Sequence, residues 1–240
     1  MRRWIVLFLT LFTFGGCVRA AELIRVGINS SYAPFENVDD QGHLSGFDFD
    51  VVNAWAKNQR VQVKFVNLTW PRLLESLASG QVDMIVSAVA ITAQRQKTFD
   101  FSRPYYYEPQ VLLLPASRRV ADVRRLNAIG VLTDSSAQGW LTRLSVPASA
   151  LQSYDGLPPM IADLRAGKIQ AAFGDQHAMR YAAALDPSLH LLRQPEFGMD
   201  AYAFVVRKGN HALQAQANRG LAALQASGAL ARLKHGYPGL

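Results

Sequence analysis

The run Ser87-Ala88-Val89-Ala90-Ile91-Thr92-Ala93-Gln94-Arg95 sets one arginine just beyond an apolar, strand-like stretch, with a threonine three residues ahead of it. A guanidinium is a planar fork of donors, suited to two parallel hydrogen bonds onto one anion. Taken singly it has a plainer reading, a cap or ion pair on a surface turn, because arginines are mostly exposed. Other residues with chemistry in them divide the same way. Asp175 is a carboxylate where Ala171-Ala172-Phe173-Gly174 ends, and can cap the helix that follows. Ser135-Ser136 reads as a helix N-cap, and Tyr32 and Trp70 as core aromatics. His43, His177, His190, His211 and His235 are scattered without ligand spacing and read as surface residues. There is no glycine-rich phosphate loop, GxSxG elbow, HExxH or SxxK in the mature chain, so neither metal, cofactor nor nucleophilic catalysis is expected. The chemistry on offer is that of binding.

The elements that must position these groups alternate between strand and helix patterns, the mark of an α/β fold. Leu23 to Ile28 reads as a strand, and Val61, Val63 and Phe65 alternate as another. Between them a helix carries Val51, Val52 and Trp55 on one face, with Asp48 as its expected N-cap and Phe47 and Val52 as a staple. Asp48 and Asp50 are read as structural, at a helix start.

Two segments repeat. Residues 73–86 (LLESLASGQVDMIV) match residues 160–173 (MIADLRAGKIQAAF) in type at each position, a short amphipathic helix, a glycine cap and a buried strand. Upstream, VGINSS (26–31) and IGVLTDSS (129–136) form a second pair in the same order, which implies two lobes of similar architecture. Ligands of open α/β sheets bind beyond the carboxyl ends of strands. Those ends carry Asn29 to Tyr32, Ser87 to Ala90, Thr133 to Ser136, and Gly174-Asp175, which facing lobes would gather around one cleft.

Arg2 and Arg3, the apolar run from Ile5 to Gly16, and Val18-Arg19-Ala20 compose a secretory signal, too short for a bilayer that needs about 20 apolar residues. Cleavage after Ala20 is the favoured reading; Cys17 offers lipoprotein processing as the second. It is the only cysteine, so no disulfide is expected in the mature chain, and the core must come from packing. The formal charge of +7 includes Arg2, Arg3 and Arg19; without them 22 basic residues face 18 acidic ones. That excess is too mild for a nucleic-acid footprint. The densest basic patch, Arg118-Arg119 with Arg124-Arg125, reads as a solvated face.

SYAPFE (31–36), GFDFDVV (46–52), SAVAITAQR (87–95), FDFSRPYY (99–106) and AAFGD (171–175) together resemble the polar amino-acid-binding proteins of ABC importers. Glutamine-binding and lysine/arginine/ornithine-binding proteins are the nearest in pattern. The resemblance covers nearly all the mature chain, to SGALARLKHGY (227–237). It implies a two-lobed periplasmic-binding-protein clamp of type II, each lobe a mixed sheet flanked by helices, joined by two hinge strands near 107–110 and 198–201. Lobe 1 would comprise residues 21–107 and 201–240, and lobe 2 residues 108–200. The product would be a periplasmic monomer that delivers an amino acid to a membrane ABC permease.

The resemblance also assigns roles. Arg95 would hold the ligand carboxylate, with backbone N–H groups at Ala90, Ser135 and Ser136. Asp175 and the Ala88 carbonyl would take the ammonium, Tyr32 and Trp70 would sandwich the side chain, and Asn29 and Ser87 would touch it. Two departures matter. Ala90 lacks the hydroxyl usual at its position, and Asn29 stands where many relatives carry aspartate, which disfavours a dedicated lysine or arginine carrier. An enzyme of the same fold, cyclohexadienyl (arogenate/prephenate) dehydratase, resembles Thr69-Trp70-Pro71. It needs a general acid near Ala178, which alanine cannot supply. A module presenting ligand to a membrane sensor is the third reading.

Overall fold

The computed structural model describes residues 22–240; the stretch read as a secretory signal, with Cys17, lies outside the described residues. β1 (Leu23–Ile28) leads into a small sheet of β2 (Ser31–Tyr32), β3 (Glu36–Val38) and β4 (Leu44–Ser45). Helix α1 (Phe47–Gln59), β5 (Gln62–Asn67), α2 (Trp70–Ala78), β6 (Met84–Ile85) and β7 (Phe99–Phe101) follow. Then come the long β8 (Tyr106–Pro115), β9 (Ile129–Leu132), α3 (Ala137–Arg143), β10 (Leu151–Tyr154), α4 (Leu157–Arg165), β11 (Ala171–Asp175) and α5 (Gln176–Ala184). β12 (Leu189–Leu192), β13 (Met199–Tyr202), β14 (Val205–Arg207), α6 (His211–Ala226) and α7 (Ala229–His235) close the described chain.

Two main sheets share one plan. The first runs β5-β1-β6-β14-β7, and the second β10-β9-β11-β8-β12 with β13 added to β8. In each, the first three strands are parallel and the fourth and fifth are antiparallel to their neighbours. The repeated sequences fill equivalent places: α2 feeds β6 through Gly80 at φ +79, and α4 feeds β11 through Gly167 at φ +71. Both are the left-handed caps that glycine adopts without a Cβ clash.

A second glycine pair explains why helix and strand pack so closely. A Cβ on Gly27 in β1 would lie 3.3 Å from Leu73 and Val82; one on Gly130 in β9 would lie 2.7 Å from Ile169 and 2.9 Å from Met160. Leu73 and Met160 are the same position of the repeat, as are Val82 and Ile169. Each sheet is covered on both faces. α1, α6 and α7 bury one face of the first around Val26, Trp55 and Phe204, and α2 covers the other around Leu73 and Val205. The second is packed around Phe173 on one face and Met160 on the other.

The sheets are linked by β8 and β13, which pair antiparallel with Tyr107 opposite Ala201 and Glu108 opposite Asp200. One detail at α1 departs from expectation. The helix starts at Phe47 with Gly46 in the cap position, and Asp48 lies inside the first turn, fully buried. Its carboxylate accepts from Ala88 N–H at 2.6 Å and from the Tyr105 hydroxyl at 2.7 Å, a tertiary tie instead of a cap. Asp50 accepts from the Tyr237 hydroxyl at 2.6 Å and so fastens the C-terminal end to α1.

Candidate functional site

The carboxyl ends of β1, β6, β9 and β11 converge on a cavity of about 810 Å³. All ten residues singled out from the sequence, Asn29, Tyr32, Trp70, Ser87, Ala88, Ala90, Arg95, Ser135, Ser136 and Asp175, line it. Two of the four non-glycine residues with positive φ among the described residues, Ala88 at +45 and Asp134 at +55, also lie on its wall. Left-handed backbone at such residues costs about 1–3 kcal/mol and is kept where surrounding structure imposes it.

Arg95 stands on a short 3-10 turn whose first N–H bonds to Thr92 Oγ1 at 3.1 Å. Its guanidinium gives Nη1 to the Ala90 carbonyl at 2.9 Å and Nη2 to the Asp134 carbonyl at 2.8 Å, and lies 5.4 Å over the Trp70 ring. It therefore bridges the two halves of the cavity. Burial pushes it below its ordinary value, while Asp200, Asp175 and Asp134 oppose that fall. Ala90 itself forms an antiparallel bridge with Tyr202. The bonds Ile91 N–H to Ala201 O and Ala203 N–H to Val89 O flank it. That is the non-hydrogen-bonded kind of pair, in which N–H and C=O both point away from the partner strand. The Ala90 N–H is thus turned to the same side as its Arg95-bound carbonyl.

Asp175 ends β11. Its Oδ2 accepts from the Tyr32 and Tyr202 hydroxyls, the latter at 2.7 Å, and its Oδ1 from Gln110 Nε2 at 2.5 Å. Burial first, then the Asp175 charge, pushes both phenols well up, so they act as donors. Sequence reasoning missed the neighbour, Asp200 on β13, which is 4% exposed and also lines the cavity. It accepts from Ser136 Oγ, from Trp140 Nε1 at 2.7 Å and from Gln110 Nε2 at 3.2 Å. Burial and the Asp175 charge raise it to about 6, against the pull of Ser136 and Trp140.

Several expected contacts are taken up locally. The Asn29 amide donates to Leu68 O at 2.9 Å and its oxygen accepts from Ser31, while its backbone N–H reaches Ser87 Oγ at 3.0 Å. Ser135 closes a turn on Leu132 O through both N–H and hydroxyl. His177 is no surface residue: it is 6% exposed, edge-on to Tyr32 and Phe35, with Nδ1 3.3 Å from Glu108 Oε1. Periodicity gave no sign of this, because the packing partners come from β2, β8 and the loop before β3. Glu36 is 1% exposed and neither carboxylate oxygen has a hydrogen-bond partner among the described residues. Burial, then the charge of Asp48, pushes it well up, which favours the neutral acid.

Residues 24–239 match the model of the bacterial extracellular solute-binding proteins, family 3, and the chain belongs to that family. It is 29% identical to a probable histidine-binding protein of Neisseria gonorrhoeae over 86% of this chain and 80% of that one. It is equally 29% identical to ABC transporter arginine-binding protein 1 of Escherichia coli K12, over 92% and 91% of the two chains. Among solved structures, it is similar to the arginine-, lysine-, histidine-binding protein ArtJ of Geobacillus stearothermophilus. The TM-score there is 0.81 at 26% identity, covering 91% of this chain and 96% of that one. The fold is the type II clamp, and the chain is an amino-acid-type solute-binding protein, not an enzyme. Ala178, where a dehydratase acid was sought, is a buried part of the cavity wall.

Proposed function

We propose that this chain, exported to the periplasm by its N-terminal signal, captures an amino acid between lobe 1 (21–107 and 201–240) and lobe 2 (108–200) and delivers it to an ABC permease. The observation that carries the reading is the opposition of Arg95, with the Ala90 N–H beside it, to Asp175 across one cavity. A carboxylate is the anion that fits a guanidinium backed by an N–H, and an amine is the partner that fits a carboxylate at the facing strand end. Burying either ligand charge unpaired is costly, so matched groups on opposite walls select for a molecule bearing both. Trp70 and Tyr32 would flank the rest of the ligand.

The bond from Arg95 to the Asp134 carbonyl and that from Tyr32 to Asp175 supply the ties of a closed state. Ligand charges that bridge the same walls would favour closure over opening. Arg95→Ala is the test. It strands a buried carboxylate at a cost of about 3–5 kcal/mol, so affinity should fall by roughly two to three and a half decades. Titration calorimetry with amino acids on the folded variant reads this, and near-normal affinity would remove Arg95 from the site.

A further inference from the structure

The cavity is far longer than the head of an amino acid. Its volume of about 810 Å³ lies toward the upper end for sites that enclose drug-sized ligands. The excess lies between two helices. α4 follows β10 and α5 follows β11, two strands parallel within one sheet, so both helices start at the cleft and run away from it. Along α4 the wall is Leu157, Ile161 and Arg165; along α5 it is Ala178, Ala182 and, just past the helix end, Leu185. Spacings of four, then three or four, put each set on one helix face. The trough therefore extends about 12 Å from the cleft at 1.5 Å per residue. Its walls are apolar until Arg165, which is held by Asp186 at 2.5 Å. Tyr181 and Leu185 at its rim are 66% and 65% exposed.

A second observation concerns the near end of the trough, where Asp175 stands. An ionised carboxylate offers about four acceptor sites. Three donors, from Tyr32, Tyr202 and Gln110, already occupy Asp175. What remains suits a nitrogen with one or two protons to give, an amide or a secondary amine, better than a free ammonium with three.

We propose that the α4–α5 trough is a subsite for an apolar arm carried on the ligand nitrogen. The preferred ligand is then an N-substituted amino acid, with its carboxylate at Arg95, its N–H at Asp175 and its arm between Ile161 and Ala182. The inference rests on the amino-acid reading of the cleft and sharpens it. An N-acyl and an N-alkyl amino acid share this chemistry; they differ in whether the nitrogen is an amide or a charged amine.

The experiment is calorimetry on the full mature chain with three probes for whichever amino acid binds best. These are the free acid, its N-isovaleryl derivative and its N-isopentyl derivative. Each buried methylene contributes roughly fourfold in affinity, so at least one extended probe should bind about tenfold or more tighter than the free acid. If the N-acyl probe alone gains, the ligand nitrogen is an amide; if the N-alkyl probe alone gains, it is a charged amine. Leu185→Gln and Tyr181→Ser, at exposed positions where the fold tolerates polar residues, should erase the gain and leave the free acid unchanged. Extended probes no tighter than the free acid overturn the subsite while leaving the cleft reading intact. If no probe of any kind binds, the cleft reading falls and the subsite falls with it.

Discussion

The two halves of the molecule follow one strand plan and load it differently. At the matching ends of β6 and β11 the first sheet offers Ser87, the second Asp175. At the ends of β1 and β9 stand Asn29 and Thr133. The first half supplies the guanidinium, Arg95, along with Glu36, which burial favours in its neutral form; the second supplies Asp134, Asp155 and Asp175 against Arg165, which Asp186 holds. A duplicated scaffold has thus been given opposite charge on its two faces. A molecule carrying both signs is held by the difference between the lobes, while their likeness serves only to bring matching strand ends to one place.

The likeness itself can be broken at the glycines. Gly130→Ala forces a methyl to 2.7 Å from Ile169 and 2.9 Å from Met160 in a packed core. It should cost about 1–3 kcal/mol, read as a lowered denaturant midpoint. Gly27→Ala meets its neighbours at 3.3 Å and should stay within about 1 kcal/mol. Equal losses would mean that the two helix–strand contacts are equally tight, against the distances.

The charge difference is sharpened by Asp200, which is raised to about 6 by burial and Asp175. A folded value above the unfolded one of about 4 means that the native state binds the extra proton. Its contribution to stability is complete below about pH 4 and is lost as pH rises through about 6. A shift of this size is worth about 2 kcal/mol once partial screening is allowed for. Asp200→Asn should remove that decline, so that the variant melts above the parent at pH 7.5 and near it at pH 4. A parent advantage at pH 7.5 would contradict the assignment. The smallest effect is at Ala90, where Ala90→Thr restores a hydroxyl beside Arg95. It should tighten amino-acid binding by up to roughly tenfold, by calorimetry. Weaker binding would show that the ligand already fills that space.

Much of this was legible in the sequence for one reason, the repeat. LLESLASGQVDMIV and MIADLRAGKIQAAF locate equivalent helices, caps and strands, and the rule of strand ends then collects Asn29, Ser87, Ser135 and Asp175 around one cavity. Asp200 escaped because β13 is the strand outside the five-position plan, paired with the first residues of β8 ahead of those that meet β11 and β12. Nothing in the repeat points to it. Asp48 and His177 escaped for a related reason. Each was read from its own helix, as cap or surface residue, whereas its partners (Ala88 and Tyr105, or Tyr32, Phe35 and Glu108) are brought in from distant segments.

The placement of β14 has a consequence for the order in which the molecule assembles. The second sheet is built from strands of one continuous stretch, β8 to β13. The first cannot be finished until Val205 pairs with Ile85 and Phe101, and α6 packs onto α1. Chains are made from the N-terminus, so the half synthesised first is the half completed last, and β6 keeps an unpaired edge in the interval. Closing that long loop is the slow kind of step. In refolding, amides of β9 and β11 should gain protection from exchange before those of β6, and a chaperone that shields an exposed strand edge would find it in the N-terminal half.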